Sequence, residues 1–199
     1  MSVSTRFHTT SATPHVEGAG VQLHRAFGFH DPSELDPFLL FDDFRNDDPA
    51  RYAKGFPWHP HRGIETITYV LAGTVDHGDS LGNTGSLGAG DVQWMTAGSG
   101  ILHEEYHSDA FARSGGTLEM VQLWVNLPAK DKRAPAGYQA ITDQQIPVVA
   151  LPDAAGMVRV IAGEKDGATG PARTFTPMNV WDMRLNQGGI AELESPEGW

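Results

Sequence analysis

Val21-Gln22-Leu23-His24-Arg25-Ala26-Phe27 alternates apolar and polar positions, and short apolar runs recur down the chain, each fenced by Gly, Pro, Asp or Asn. Strict alternation is the signature of a half-buried β-strand, and a short continuous apolar run between turn residues reads as a strand buried on both faces. These rules predict strands over Leu35–Phe44, His59–Leu71, Val92–Thr96, Leu118–Leu127, Val158–Gly163, Val180–Leu185 and Ile190–Leu193. The segment from Ile64 to Leu71 is the richest in β-branched and aromatic residues, which suit a pleated surface. From Gly73 to Gly90 six glycines mark hairpin turns, and Ala97-Gly98-Ser99-Gly100 reads as a turn whose glycines permit positive φ or close backbone approach. Residues 1–19 read as an extended arm or edge strand, and Ala129–Gln145 as a linker or irregular excursion. The class expected is all-β.

Composition narrows this picture. At 199 residues the chain exceeds one average domain and is short for two. A hydrophobic share of 40% with five Trp supports a packed core, and the 23 Gly and 13 Pro, scattered and not periodic, suit many turns. A formal charge of -11 argues against direct binding to nucleic acid or anionic lipid, which relies on Lys and Arg. No cysteine is present, so disulfides and thiolate ligands are excluded. The start, Met1 to His15, lacks the apolar stretch of a signal peptide, and no run is long enough to span a bilayer. A cytoplasmic protein without membrane contact is expected.

The candidate chemistry lies in His59-Pro60-His61-Arg62-Gly63 and Gly100-Ile101-Leu102-His103-Glu104-Glu105. Each places ligand-type side chains at i and i+2, which share one face of a strand. His59 with His61, and His103 with Glu105, would therefore aim into one interior. Three imidazoles and a carboxylate suit a divalent transition metal, with Fe, Cu, Ni, Mn, Co and Zn all candidates. The same side chains would also suit a hydrogen-bonded polar barrel mouth. Glu104 has the opposite parity and is expected to face away. Unbroken alternation from His59 would set His61, Glu65, Ile67, Tyr69 and Leu71 along one face, making Glu65 an alternative fourth ligand or a supporting group. His107 shares the parity of His103 but lies further out. His8, His15, His24, His30 and His77 read as solvent-facing. Asp42, Asp43, Asp47 and Asp48 lack calcium-loop spacing and read as a solvated acidic turn.

Four blocks carry a family resemblance: Phe38-Leu39-Leu40-Phe41-Asp42-Asp43-Phe44, Gly55–Thr66 with its His-Pro-His-Arg-Gly core, Gly90–His103 with Gln-Trp-Met-Thr-Ala-Gly, and Gln122-Leu123-Trp124-Val125-Asn126-Leu127-Pro128. In this order they resemble pirin, a bicupin of the cupin superfamily, over nearly the whole chain from Gly20. The resemblance implies cupin jelly-roll β-barrels, with a complete N-terminal domain over residues 1–133 that carries the metal. Residues 134–199 would be a linker and the opening strands of an incomplete C-terminal cupin domain, because family members are longer.

The same resemblance implies His59, His61, His103 and Glu105 as metal ligands and iron(II) as the usual metal; in a dioxygenase, Glu105 or a metal-bound hydroxide would be the catalytic base. Some pirins are quercetin 2,3-dioxygenases, cleaving flavonols with O₂ and releasing CO. Others are non-catalytic metal-binding regulators of a transcription factor or metabolic enzyme. The expected partners are a flat aromatic, flavonol-like substrate and O₂, with a protein partner as the alternative. Ile67, Tyr69, Met95, Met120 and Trp124 are candidate pocket walls. Self-association through the incomplete second domain is expected from unpaired strand edges.

Overall fold

The computed structural model describes residues 11–28 and 35–193, so expectations for His8 and His30 lie outside the described residues. The chain divides into two compact units, up to Ala140 and from Ile141 onward. Among the described residues no helix is long and apolar enough to cross a membrane.

The first unit is built from strands because its apolar positions repeat with period two, and a strand face must be covered by another sheet. Its strands are β1 (Thr13–Glu17), β2 (Val21–Phe27), β3 (Phe38–Asp43), β4 (Phe56–His61), β5 (Ile64–Ala72), β6 (Val75–Asp79), β7 (Thr84–Leu87), β8 (Val92–Thr96), β9 (Ile101–Tyr106), β10 (Glu119–Asn126) and β11 (Gly137–Ile141), with one short helix, α1 (Asp109–Ser114). They form a seven-stranded sheet in the order β1-β2-β3-β10-β5-β8-β11 and a four-stranded sheet in the order β4-β9-β6-β7. This is the jelly-roll barrel expected of a cupin. Val21, Leu23, Val70 and Met120 from the first sheet meet Val75 and Leu87 from the second, together with Phe44, Tyr52 and Leu118. Each such side chain contributes about 1.5–3 kcal/mol by leaving water.

Two expectations change here. The stretch from His59 to Leu71 is not one strand: it breaks at Arg62-Gly63, with Gly63 at φ 70°. β4 then stays in the four-stranded sheet while β5 crosses to the seven-stranded one. The alternation started at His59 therefore does not carry into β5. Secondly, the excursion from Ala129 to Gln145 contains β11, which extends the edge beyond β8.

In the second unit, β12 (Val148–Ala150), β13 (Gly156–Ala162) and β16 (Val180–Leu185) form a three-stranded sheet, and β14 (Glu164–Lys165) pairs with β15 (Ala168–Thr169). Leu151, Ala155, Val158 and Val160 make its core, with Trp181 and Met183 packed against them. Ile190–Leu193 is not a strand. A turn closed by Gly189 N–H to the Asn186 carbonyl (2.8 Å) precedes it, and Ile190 is 81% exposed, so the apolar pattern there finds no sheet to join.

The turn between β8 and β9 aims the second motif. Gly63 N–H donates to the Gly98 carbonyl (2.8 Å) and Ser99 N–H to the Ala134 carbonyl (2.9 Å), tying three chain segments together. Gly98 has φ 49°, and a Cβ there would run into the Ala134 carbonyl oxygen. Gly98→Ala is expected to destabilise the fold by more than about 1 kcal/mol, since both backbone angle and space exclude a side chain. Urea unfolding of the variant against wild type measures this.

Candidate metal centre

His59 and His61 leave β4, His103 and Glu105 leave β9, and all point between the two sheets because β4 and β9 pair with His59 opposite His103. The imidazole rings stand 4.4–4.9 Å apart, centroid to centroid. One nitrogen from each of His59, His61 and His103 lies within 4.8 Å of the others. His59 Nδ1 lies 2.8 Å from the Pro57 carbonyl, which can only accept, so that nitrogen carries the proton and Nε2 has its lone pair open. Both ring nitrogens of His103 are buried without a hydrogen-bond partner. Such burial is costly for polar atoms, and a cation at the meeting point of the three rings would satisfy one nitrogen of each. The donor set therefore fits a divalent transition metal.

Electrostatics supports the same fit. Burial lowers the His61 pKa to about 3, with the neighbouring His103 and His59 adding to the effect and Glu105 opposing it. Burial likewise lowers that of His103 to about 3, reinforced by His59 and His77. Both are held as neutral imidazoles, the form that ligates metal.

Glu105 shares the buried face but is not part of the three-nitrogen group. Thr68 Oγ1 donates to its Oε1 (3.1 Å), and Gln122 Nε2 lies 3.3 Å from Oε1 and 3.2 Å from Oε2. Trp124 Nε1 donates to Gln122 Oε1 (3.1 Å), and the Trp124 ring meets His61 edge-on, centroids 4.9 Å apart. These contacts belong to a polar row across the inner face of the seven-stranded sheet. Arg25 pairs with Asp42, Asp42 with Gln122, Gln122 with Thr68 and Thr68 with Gln93, across β2, β3, β10, β5 and β8.

The row corrects several expectations. Asp42 is not part of a solvated turn: it is 3% exposed and takes a bidentate pair from Arg25 at 2.7 and 2.8 Å. Ile67 and Tyr69 do not line the centre, because Thr68 faces it and alternation turns its neighbours away. Glu65 likewise points to the other face, where Thr96 Oγ1 donates to it at 2.8 Å, and burial raises its pKa. It is neither ligand nor support. His107 bonds the Thr74 carbonyl (3.0 Å) and packs on Tyr52 and Phe111, away from the three rings.

His77 was expected in solvent and is instead buried, 8% exposed, opposite Glu105 in the β6–β9 pairing. Asp79 lies opposite His103 in the same pairing, and the Tyr138 ring lies 5.2 Å from that of His77. Burial pushes the Tyr138 phenol above its ordinary range, with the charge of Asp79 adding. These groups form a polar layer behind His103. Its signal in the sequence, His77-Gly78-Asp79 with i,i+2 parity, has the same form as the two motifs but is masked by the surrounding glycines.

A cavity of about 540 Å³ opens on His59, His61 and Glu105, with Leu40, Phe44, Phe56, Pro60, Ile64 and Trp124 among its walls. Of the expected wall residues Trp124 is there, Met120 lies in the main core, and Met95 packs with Ala97 and Ile101. A larger hollow of about 1020 Å³ lies in the second unit, but among the described residues no cluster of ligating side chains faces it.

The two buried histidines make metal-free stability pH-dependent. Their folded pKa values lie below the unfolded value of about 6.5, so as pH falls the unfolded chain takes up protons first. Stability is therefore expected to drop between about pH 6.5 and 3, by up to about 1.4 kcal/mol per pH unit for each histidine. Urea unfolding of metal-free protein at pH 7 and 5 reads this slope, and His103→Gln should flatten it.

Comparison with known proteins places the chain. The family model described as Pirin matches residues 20–125. A Pseudomonas aeruginosa protein provisionally named a quercetin 2,3-dioxygenase is 50% identical over 94% of this chain and 67% of its own length. The crystal structure of quercetin 2,3-dioxygenase from Acinetobacter baumannii is 46% identical with a TM-score of 0.79, covering 87% of this chain and 62% of that one. A bacterial pirin from Escherichia coli, solved in complex with nickel(II), is 26% identical with a TM-score of 0.52, covering 79% and 69%. The chain spans from about half to two thirds (53–67%) of the length of the curated relatives it matches. With a family model matching over half its residues and a relative sharing half its identities, the chain belongs to the pirin family.

Proposed function

We propose that the first unit is the catalytic part of a pirin-type dioxygenase that opens flavonols with O₂ and releases CO. The observation that carries this reading is the meeting of three imidazoles, His61 and His103 buried and held neutral, with His59 and His61 opening on a cavity whose walls include Leu40, Phe44, Phe56, Ile64 and Trp124. The names of the Pseudomonas and Acinetobacter relatives support the reaction class.

His59, His61 and His103, with Glu105, hold the ion, with iron(II) the expected metal; the nickel(II) complex of the Escherichia coli relative supports a divalent one. When bound, such an ion would acidify a coordinating hydroxyl and supply the electronic coupling that O₂ chemistry needs. Trp124, Leu40 and Ile64 flank a flat ring system and keep water from it. Glu105, on the same wall, is available as fourth donor or as acceptor of the flavonol 3-hydroxyl proton. Gln122 and Thr68 hydrogen-bond its carboxylate and orient it there. We place the protein in the cytoplasm, and residues 134–199 as a linker, which carries β11, and the opening strands of an incomplete C-terminal cupin domain. Self-association through the outer strands of that unit's three-stranded sheet goes with this reading.

Anaerobic Fe(II) loading followed by quercetin and O₂ tests the activity. Loss of flavonol absorbance with one CO per turnover is expected. No turnover with several flavonols would overturn the reading in favour of a metal-binding regulator of a transcription factor or metabolic enzyme. His61→Ala should abolish tight metal binding, and wild-type metal content in that variant would remove the site assignment. Glu105→Gln should keep metal but lose turnover by about 10²-fold or more, as for a lost general base.

A further inference from the structure

We infer that Glu17, held at the wall of the cavity by Arg25, is a specificity-determining residue that accepts hydrogen bonds from adjacent hydroxyls on the flavonol ring lying away from the metal centre. The inference rests on the flavonol reading above and adds which end of the molecule the protein selects.

Besides His59, His61 and Glu105, the cavity of about 540 Å³ is lined by Glu17, Gly18, Arg25 and Asp42. Gln122, Asp42 and Arg25 stand on successive strands β10, β3 and β2. Two strand spacings carry the row about 10 Å, from the residue that bonds Glu105 to Arg25. Arg25 is anchored by Asp42, with Nε donating to Oδ1 (2.7 Å) and Nη2 to Oδ2 (2.8 Å), and its Nη1 lies 3.1 Å from Glu17 Oε1. The side chains of Asp42 and Arg25 are 4% and 16% exposed, that of Glu17 44%. Of the three, Glu17 is the one a molecule in the cavity reaches. The turn that follows it is pinned as well. Gly18 has φ 56°, and a Cβ there would come 2.6 Å from Phe56 Cδ1 and 2.8 Å from the Gly55 carbonyl oxygen, to which Ala19 N–H donates at 3.3 Å. This ties the β1–β2 turn to the start of β4, the strand of His59 and His61, so packing fixes where Glu17 stands relative to the imidazoles.

The balance of donors and acceptors then selects the ligand. Each guanidinium nitrogen already faces a carboxylate, and the three groups together carry one positive and two negative charges. Two carboxylates offer about eight lone-pair sites, of which Arg25 takes three, so the spare capacity is for accepting. An acidic ligand would meet a net negative wall, whereas a hydroxyl would donate to an ionised oxygen, the stronger kind of hydrogen bond. A flavonol with its 3-hydroxyl at the imidazoles extends its pendant ring along the row towards Glu17. Adjacent hydroxyls on that ring, a catechol, supply the donors.

Three flavonols test this: quercetin, which has the catechol; galangin, which lacks both of those hydroxyls; and the catechol dimethyl ether of quercetin, which keeps the oxygens and loses the donors. Binding to the protein loaded with redox-inert Zn(II) is read from quenching of tryptophan fluorescence. Wild type should bind quercetin about tenfold or more tighter than either of the others. Glu17→Ala should bring that ratio close to one, and Glu17→Gln, which keeps one acceptor and loses the charge, should leave it in between. With Fe(II) and O₂ the same ratios should appear in kcat/KM. A wild-type ratio near one, no binding of any flavonol, or a Glu17→Ala variant that weakens all three alike would overturn the inference, the last being the mark of an ion pair that only supports the fold. A quercetin preference that survives Glu17→Ala overturns it too, since the catechol would then sit at the metal. Selective, Glu17-dependent binding without turnover by the Fe(II) protein would instead sink the dioxygenase reading and leave the role of Glu17 standing.

Discussion

The constraint on which the structure depends is the burial of polar side chains between two sheets. An unpaired polar group inside a barrel costs about 1–3 kcal/mol, so each must find a partner on the sheet it comes from or on the one it faces. On the seven-stranded sheet five polar residues stand in register across five strands, and Arg25 bonds Asp42 and Gln122 bonds Thr68 sideways along the row. On the four-stranded sheet the requirement is met only in part. Glu105 is satisfied by crossing the gap to Gln122 and Thr68, whereas His103 is left with two buried nitrogens that have no hydrogen-bond partner among the described residues. Part of this imbalance falls where the three imidazoles meet, and a cation there would relieve it.

The rest of the first unit serves that placement. The main core of Val21, Leu23, Val70, Val75, Leu87 and Met120 holds the sheets together on one side of the centre. Met95, Ala97 and Ile101, with Ile64 and Tyr138 against them, form a separate apolar cluster. The cavity opens between Trp124 and the histidines, so a molecule bound there meets both the imidazole wall and the residue that orients Gln122. His77, Asp79 and Tyr138 back the site with further buried polar groups, which keep the environment of His103 from being simply apolar. Cavity wall, imidazoles and carboxylate are thus linked through a small number of shared contacts.

What could be read along the chain was whatever depends on near neighbours. The pairs His59/His61 and His103/Glu105 are two residues apart, and strand geometry alone puts each pair on one face. The strand class, the turn at Gly98 and the outward parity of Glu104 follow from the same local rules. The extrapolation from His61 into β5 failed because Gly63 resets the chain between sheets, a change of partner and not of local pattern. Ile190–Leu193 failed for the converse reason, an apolar pattern with no strand beside it.

Asp42 reads as one more surface carboxylate until β2 brings Arg25 alongside, and His77 reads as a loop histidine until β9 brings Glu105 opposite. Gln122 gives no signal at all on its own strand, since its role is set by Trp124 two residues on and by a carboxylate from the facing sheet. Sequence alone determined the fold class, the two i,i+2 pairs that share a strand face and the family, because these rest on spacing within a strand and on the order of blocks. Tertiary structure alone decided which polar residues are buried together and which way the carboxylate is held. The reason is that strand pairing joins residues dozens of positions apart, and no short-range pattern encodes which strands become neighbours.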